Sequence, residues 1–175
     1  MDSKLKKKMI ILGLDNAGKS TILLTMKKQL SVQCFAEIAP TKGIATENLE
    51  TDDAIYYIWD FGGQDIYRED YLNKSDNFKG TDVLIYVIDI QDPSRYDAAL
   101  QYLEKILEIM KDLEQNCEYS VFFHKFDPDI LESKDYQKKS ADLRAKLRTL
   151  FKKYGAPVKV YHTSVYTVFQ RIQVM

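Results

Sequence analysis

The chain has few cysteines and no long apolar run. Only Cys34 and Cys117 occur among its 175 residues. Two thiols cannot form a disulfide framework or a four-thiolate zinc site, and they suit a reducing compartment such as the cytoplasm. No uninterrupted apolar run exceeds six residues, whereas a transmembrane helix needs ~20. The sequence therefore excludes a disulfide-rich secreted domain and a membrane-spanning helix.

An excess of charge of one sign is also lacking. The 25 Lys and Arg residues nearly balance the 26 Asp and Glu residues, which argues against a general nucleic-acid binder, because such a protein needs a basic excess. With 45% hydrophobic and 29% charged residues, the composition predicts a single globular domain over residues 1–175. The basic start, residues 4–8, is interpreted as a solvated, frayed terminus. Its attraction to an anionic membrane, about 1 kcal/mol per charge, is weak.

Segments rich in β-formers alternate with helical patterns along the chain. This alternation predicts an α/β fold, with a mostly parallel six-stranded sheet and helices on both faces. The predicted strands cover residues 9–12, 46–49, 54–59, 83–90, 121–123 and 158–161, with 46–49 as the hairpin partner of 54–59. The predicted helices cover residues 19–30, 93–113, 143–151 and the chain from Val165 onward. Residues 126–139, which include Pro128 and many charges, are interpreted as a long surface loop.

A glycine-rich motif follows the first predicted strand and precedes the first predicted helix: residues 13–20 read GLDNAGKS. This is the phosphate-loop pattern in its required context. Its backbone N–H groups and the helix N-terminus attract phosphate, Lys19 can reach the β- and γ-phosphates, and Ser20 can ligate Mg²⁺. A glycine turn with a solvated lysine is the weaker alternative. The residues predicted to bind the phosphates are Asp15, Asn16, Ala17, Gly18, Lys19, Ser20 and Thr21.

The segment DFGGQ, residues 60–64, follows the strand predicted over 54–59. Asp60 lies at the strand end that faces ligands in such a sheet, where it can hold Mg²⁺ through a water. The Gly63 N–H can meet a γ-phosphate oxygen, and the Gln64 amide can orient a water for in-line attack. Alone, this segment would be an ordinary turn. In a chain that also has a phosphate loop, it predicts a hydrolytic site, with Gln64, Lys19 and Gly63 as catalytic groups.

The segment HKFD, residues 124–127, follows the strand predicted over 121–123. The Asp127 carboxylate can accept hydrogen bonds from guanine N1–H and N2–H₂, a donor pair that adenine lacks, and the Lys125 stem can lie over the ring. His124, taken alone, is interpreted as a histidine satisfied by neighbouring backbone. The loop of Ser164 and Val165 can offer an N–H group to guanine O6. The two segments together predict a guanine nucleotide.

These motifs resemble those of the Ras-superfamily small GTPases over nearly the whole chain. GLDNAGKST and WDFGGQD are similar to the Arf, Arf-like and Rag branches, and residues 40–43, PTKG, resemble the Arf switch I signature. By that match, Thr41 ligates Mg²⁺ in the triphosphate state. The HKFD segment and the run YHTSVY at residues 161–166 resemble Rag GTPases instead. The chain is thus similar to a Rag-like P-loop G domain with Arf-like switches.

The resemblance implies a switch that uses GTP, GDP and Mg²⁺. Effectors, GTPase-activating proteins and exchange proteins are expected at the switch regions, residues 38–48 and 61–75. Pairing with a second G domain is allowed, and the expected location is cytoplasmic, with membrane contact made through partners. Residues 31–58 contain no arginine that could complete the site, so a partner is expected to supply one. A guanine-nucleotide scaffold without hydrolysis, or a subunit of a Rag-like complex, stays open, as does an ATP-dependent enzyme, which Asp127 disfavours.

Asp15, Tyr67 and Tyr71 have two interpretations each. Asp15 stands where many Ras-like proteins have glycine, so it would crowd an inserted arginine. Arf-like proteins share the aspartate, and simple family inheritance is the favoured interpretation. Tyr67 and Tyr71 fall in the expected switch II region, where they can anchor a partner or pack against the neighbouring helix. For the two tyrosines the alternatives are weighed equally.

Overall fold

Six strands form one sheet at the centre of the molecule. The structure is a computed structural model that describes residues 4–27 and 39–165. The order across the sheet is β2-β3-β1-β4-β5-β6. The strands are β1 (Leu5–Leu12), β2 (Ile44–Glu50), β3 (Ala54–Phe61), β4 (Val83–Asp89), β5 (Glu118–His124) and β6 (Val158–His162). Only β2, the hairpin partner of β3, runs antiparallel to its neighbour, so the predicted six-stranded, mostly parallel sheet is confirmed.

Five helices and two short 3₁₀ turns connect these strands within the described residues. The helices are α1 (Lys19–Met26), α2 (Asp65–Asn73), α3 (Tyr96–Asp112), α4 (Pro128–Leu131) and α5 (Lys134–Lys153); the 3₁₀ turns are Ser75–Phe78 and Pro93–Arg95. The apolar stripe of α3 and the proline just before it place this helix as predicted. The last residues of the predicted helix 19–30 and nearly all of the helix from Val165 onward lie outside the described residues.

The sheet is covered on both faces. Successive residues of β1 point to opposite sides: Ile10 and Leu12 belong to the core formed with α3 and α5, whereas Met9 and Ile11 belong to the core formed with α1. The prediction of helices on both faces is therefore confirmed. None of the helices in the described ranges is long and apolar enough to cross a membrane.

The frayed terminus predicted for residues 4–8 is wrong. Strand β1 begins at Leu5, because β3 continues far enough to pair Leu5 with Ala54. Lys8 Nζ donates hydrogen bonds to the carbonyl oxygens of Asn77 and Lys79 at 2.7 and 2.8 Å, and burial lowers the pKa of this lysine. Lys8 is thus an anchor of the fold rather than a solvated charge.

The surface loop predicted over residues 126–139 is also wrong in most of its length. Helix α4 begins at Pro128 and helix α5 begins at Lys134. Pro128 fits the first turn of α4, where proline is tolerated. The first hydrogen bond of α5 runs from the Gln137 N–H to the Ser133 carbonyl at 3.0 Å. The many charges of the segment occupy exposed helix faces instead of a loop.

Candidate functional site

The predicted motifs meet at one edge of the sheet. Residues 13–20 follow β1, residues 62–64 follow β3, and residues 125–127 and 163–165 follow β5 and β6. Because these four strands are parallel, their C-terminal ends lie side by side, where open α/β sheets bind ligands. The fold thus brings together segments that are as far apart as residues 13 and 165.

The phosphate loop has the backbone geometry that its glycines allow. Gly18, just before α1, has φ +91°, and Asn16 has φ +58°. Gly13 has φ +146°, and a Cβ there would lie 2.3 Å from the Val87 carbonyl oxygen. The loop therefore curls tightly over the end of β4, as a phosphate-binding loop requires.

Lys19 is buried inside the phosphate loop. Its Nζ donates hydrogen bonds to the carbonyl oxygens of Gly13 at 3.0 Å and Leu14 at 2.8 Å. Burial lowers the pKa of Lys19 to about 8, against the opposing charges of Asp60 and Asp15. The ammonium group is therefore mostly protonated at neutral pH and lies where an anionic ligand would stabilise it.

A cleft of about 230 Å³ opens in front of this lysine. It contains all but one of the predicted phosphate-binding residues, together with Thr41, Gly63 and Gln64. The lining residues are Asp15, Asn16, Gly18, Lys19, Ser20, Thr21, Ala39, Pro40, Thr41, Gly63 and Gln64. The exception, Ala17, is buried in the core beneath the loop.

Three oxygen-bearing side chains converge at one end of the cleft. The hydroxyl oxygens of Ser20 and Thr41 lie 3.2 Å apart, and they donate to Asp60 Oδ2 at 3.2 and 3.0 Å. Asp60 is almost fully buried, and its Oδ1 has no hydrogen-bond partner within the described part of the chain. Burial raises the pKa of this carboxyl group, while Lys19 opposes the rise. Hard oxygen ligands around a buried carboxylate fit a Mg²⁺ ion that also binds phosphate and water.

Gly62 and Gly63 hold the DFGGQ segment tightly against its neighbours. A Cβ on Gly63 would lie 2.3 Å from Asp15 N, and a Cβ on Gly62 would lie 2.3 Å from the Thr41 carbonyl oxygen. Asp15 N donates to the Gly63 carbonyl at 3.0 Å, and Gly62 N donates to the Gly43 carbonyl at 2.9 Å. Gln64 follows as the residue before α2 and faces the cleft.

Tyr71 connects α2 to the backbone at Gly43. Its hydroxyl donates to the Gly43 carbonyl at 2.6 Å, its ring packs edge-on against Phe61 at 4.8 Å, and the residue is buried. Burial raises the pKa of this phenol to about 12. Of the two interpretations of Tyr71, its burial favours packing, here on Phe61 of β3, whereas Tyr67 is partly exposed beside it.

Asp127 and Lys125 are held by residues at the ends of β4 and β6. Lys125 Nζ pairs with Asp89 Oδ2 at 2.6 Å, and Gln91 Nε2 donates to Asp127 Oδ2 at 2.9 Å. The Ser164 hydroxyl donates to the other oxygen of Asp127, and Val165 follows in the same loop. Residues of the two base-recognition segments therefore lie in contact, while their binding to guanine stays a prediction.

His124 links the base-recognition segment to the phosphate loop. Its Nδ1 lies 3.0 Å from Thr163 Oγ1, so a side chain, not the backbone expected for an isolated histidine, satisfies this nitrogen. A Cβ on Gly18 would lie 2.3 Å from the imidazole Cδ2, so the ring packs directly on the glycine. Burial lowers the pKa of His124, which keeps the ring neutral at pH 7.

Sequence reasoning missed Asp89, Gln91 and Arg95. Arg95 Nη1 donates to the Asp15 carbonyl at 3.1 Å, and its Nη2 contacts the Asp15 carboxylate. Burial acts to raise the pKa of Asp15, but the hydrogen bond and charge of Arg95 lower it overall. Asp89 ends a parallel strand at the ligand edge, which is a signal that could have identified it. Gln91 and Arg95 carry no comparable signal, because only the tertiary fold brings them to the site.

The chain matches a family model described as the ADP-ribosylation factor family over residues 1–168. ADP-ribosylation factor-like protein 3 of Chlamydomonas reinhardtii is 41% identical over 101 residues, which are 58% of this chain and 53% of the relative. The protein of the same name from Caenorhabditis elegans is 38% identical over 102 residues, which are 58% and 52% of the two chains. The chain thus aligns with about half the length of the curated relatives it matches.

A solved structure has the same fold. The Arl6 BBS3 small GTPase from Trypanosoma brucei, with the bound nucleotide analogue GppNp, superimposes with a TM-score of 0.67. The match covers 91% of this chain and 87% of that chain at 23% sequence identity. The likeness supports the small GTPase G-domain fold that the motifs and the sheet order indicate.

Proposed function

This chain belongs to the ADP-ribosylation factor family of small GTPases, and we propose that it is a molecular switch that binds GTP with Mg²⁺ and hydrolyses it. The observation that carries the proposal is the convergence of Ser20, Thr41 and Asp60. The two hydroxyl oxygens and the buried Asp60 carboxylate lie within 3.2 Å of one another, next to the cleft that Lys19 lines. A phosphate loop next to such a cluster suits a magnesium–triphosphate complex better than a simple anion.

The residues of the cleft divide the work of binding and hydrolysis. The backbone of residues 15–21 and the Lys19 ammonium would hold the phosphates, while Ser20, Thr41 and Asp60 would hold Mg²⁺, with Asp60 acting through a water. When bound, GTP supplies the phosphoanhydride bond, and Mg²⁺ neutralises charge on its oxygens. Gln64 orients the attacking water, and Gly63 offers its N–H toward the γ-phosphate. The products are GDP and phosphate.

The contacts between the two switch segments explain how hydrolysis changes the surface. Gly43 accepts hydrogen bonds from Gly62 and Tyr71, as described above, and Thr41 donates to Asp60, which precedes Gly62 in the same segment. Loss of the γ-phosphate removes a ligand of both segments, and segments ordered by such a ligand are released on hydrolysis. Effectors and regulators that contact residues 38–48 and 61–75 therefore read the nucleotide state.

We further propose a Rag-like specialisation within this activity. It is supported by the HKFD segment, in which buried His124 contacts both Thr163 and Gly18. A Rag-like chain acts in the cytoplasm, pairs with a second G domain and reaches membranes through partners. Size measurements with GTP and with GDP test the pairing, and a monomer in both states would contradict it.

Base choice is the sharpest test of the proposed function. Asp127→Asn replaces one acceptor of the carboxylate with a donor, which opposes guanine N2–H₂ but matches xanthine O2. A mismatched buried polar group costs about 1–3 kcal/mol, so GTP affinity should fall at least about tenfold and XTP affinity should rise. Competition of GTP, XTP and ATP against a fluorescent nucleotide measures both effects.

Asp129→Asn is the matched control, because Asp129 is exposed two residues further along the chain and should leave all three affinities unchanged. Preference of the wild type for ATP would overturn the proposed function. Preference for GTP without measurable single-turnover hydrolysis would instead identify a guanine-nucleotide scaffold.

A further inference from the structure

The segment after β4 places a side-chain amide in contact with the base-recognition carboxylate. Gln91 Nε2 donates hydrogen bonds to Asp127 Oδ2 at 2.9 Å and to the Lys125 carbonyl at 2.8 Å. We propose that Gln91 is a positioning residue for guanine specificity, which acts by orienting the Asp127 carboxylate. The inference rests on the proposed function, because it concerns the base half of the same site.

The orientation of the Gln91 amide is determined by its surroundings. Both hydrogens of an amide nitrogen can be donated, and here two acceptors, a carboxylate oxygen and a carbonyl oxygen, lie within 2.9 Å of Nε2. The flipped amide would place Oε1 against these two acceptors, which is unfavourable. Gln91 therefore acts as a fixed double donor toward the base-recognition segment.

The two contacts leave part of the hydrogen-bonding capacity of Asp127 unused. The Ser164 hydroxyl binds Oδ1 and Gln91 binds Oδ2, so each oxygen is held by one donor. A carboxylate can accept about four hydrogen bonds, which leaves one position on each oxygen. Guanine N1–H and N2–H₂ require two acceptors held in one plane, and a carboxylate whose two oxygens are each held by a donor presents them without a further loss of rotational freedom.

Gln91 is itself held in place by its contacts with Asp89 and Lys125. Its backbone N–H donates to Asp89 Oδ1 at 2.9 Å, while Asp89 Oδ2 pairs with Lys125 at 2.6 Å. Ile90 N donates to the His124 carbonyl at 3.0 Å. Lys125 has φ +60°, an uncommon conformation for a residue other than glycine, and Gln91 binds its carbonyl. Residues 89–91 and 124–127 thus form one connected unit.

The test compares nucleotides that differ only in the base. Gln91→Leu keeps a side chain of similar size and removes the donor. GTP and GDP affinities should both fall about tenfold, because a hydrogen bond to a charged acceptor is lost and both nucleotides carry the same base. Inosine triphosphate lacks the 2-amino group, so its binding depends less on Asp127. The ratio of GTP affinity to inosine triphosphate affinity should therefore decrease in Gln91→Leu. ATP affinity should not change.

A second variant and a matched control separate positioning from damage. Gln91→Glu keeps the length of the side chain but opposes Asp127 with a like charge, so it should weaken GTP binding more than Gln91→Leu does. Gln101→Leu removes an exposed amide on α3, a helix outside both base-recognition segments, and should change no affinity. Thermal unfolding without nucleotide reports whether each variant is folded.

Two outcomes would overturn the role of Gln91 while the proposed function stands. One is a GTP affinity in both Gln91 variants that stays within about twofold of the wild type. The other is an equal fall in GTP and ATP affinity, which would indicate general damage to the loop. A wild type that prefers ATP would overturn the inference and the proposed function together.

Discussion

The close approach of Gly63 to the phosphate loop leads to a quantitative prediction for Gly63→Ala. An added Cβ would lie 2.3 Å from both Asp15 N and the Leu14 carbonyl carbon, whereas ordinary van der Waals contact begins at 3.4 Å. These atoms belong to the backbone, so no side-chain rotation relieves the overlap. The DFGGQ segment and the phosphate loop must therefore separate by about 1 Å.

The magnitude follows from that displacement. A 1 Å misplacement of a catalytic group can cost about a hundredfold in rate, and Gln64 is the residue next to the displaced glycine. Loss of the 3.0 Å hydrogen bond from Asp15 N to Gly63 removes about 1 kcal/mol more. We expect GTP hydrolysis to slow about a hundredfold and GDP affinity to fall no more than about tenfold, because Lys19 and its contacts remain.

Single-turnover phosphate release from preloaded GTP measures the rate, and displacement of fluorescent GDP measures the affinity. Gly80→Ala is the control: its φ of +69° strains an alanine, but a Cβ there meets no atom within 4 Å. A hydrolysis rate of Gly63→Ala within twofold of the wild type would refute the reasoning. Equal slowing in Gly80→Ala would assign the effect to general destabilisation.

Three further predictions concern the metal, the water and the phosphate charge. Ser20→Asn should weaken GTP binding more than GDP binding, because the triphosphate depends more on Mg²⁺; equal losses in titrations with and without Mg²⁺ would contradict the metal role. Gln64→Leu should slow single-turnover hydrolysis with nearly constant GTP affinity, and an unchanged rate would assign the water to another residue. Phosphate favours protonated Lys19, whose pKa is about 8, so GTP affinity should fall about tenfold between pH 7 and 9. The arginine of Lys19→Arg stays charged over this range, so the decrease in GTP affinity should disappear. The same pH profile in both proteins would exclude Lys19 as the cause of the decrease.

Much of the fold and the phosphate half of the site could be predicted because their causes are local. A buried strand, a glycine turn and a helix start are fixed by neighbouring residues, so residues 13–20 and 60–64 indicate their own geometry. Parallel strand ends then place Asp60 and Asp127 at one edge of the sheet. These inferences needed the order of the elements but no side-chain contact.

The remainder depends on contacts between distant residues. Helix α2 carries many charges and no clear apolar stripe, yet it forms because Tyr71 packs on Phe61 and binds Gly43. Lys8 reads as a solvated charge until the fold places carbonyl oxygens around it. Gln91 lies 36 positions from Asp127, and no periodicity or turn rule relates two such residues.

The position of Asp15 shows how one of these distant contacts bears on turnover. Asp15 lines the phosphate cleft, and a negative charge beside a γ-phosphate is unfavourable unless it is neutralised. Arg95 supplies that neutralisation, with one nitrogen on the carboxylate and another on the carbonyl of the same residue. Moving Arg95 to the phosphate would leave Asp15 unpaired where charge develops. Arg95 is therefore better suited to neutralising Asp15 for nucleotide binding than to accelerating GTP hydrolysis. The contacts of this loop favour slow intrinsic hydrolysis that an arginine from a partner protein accelerates.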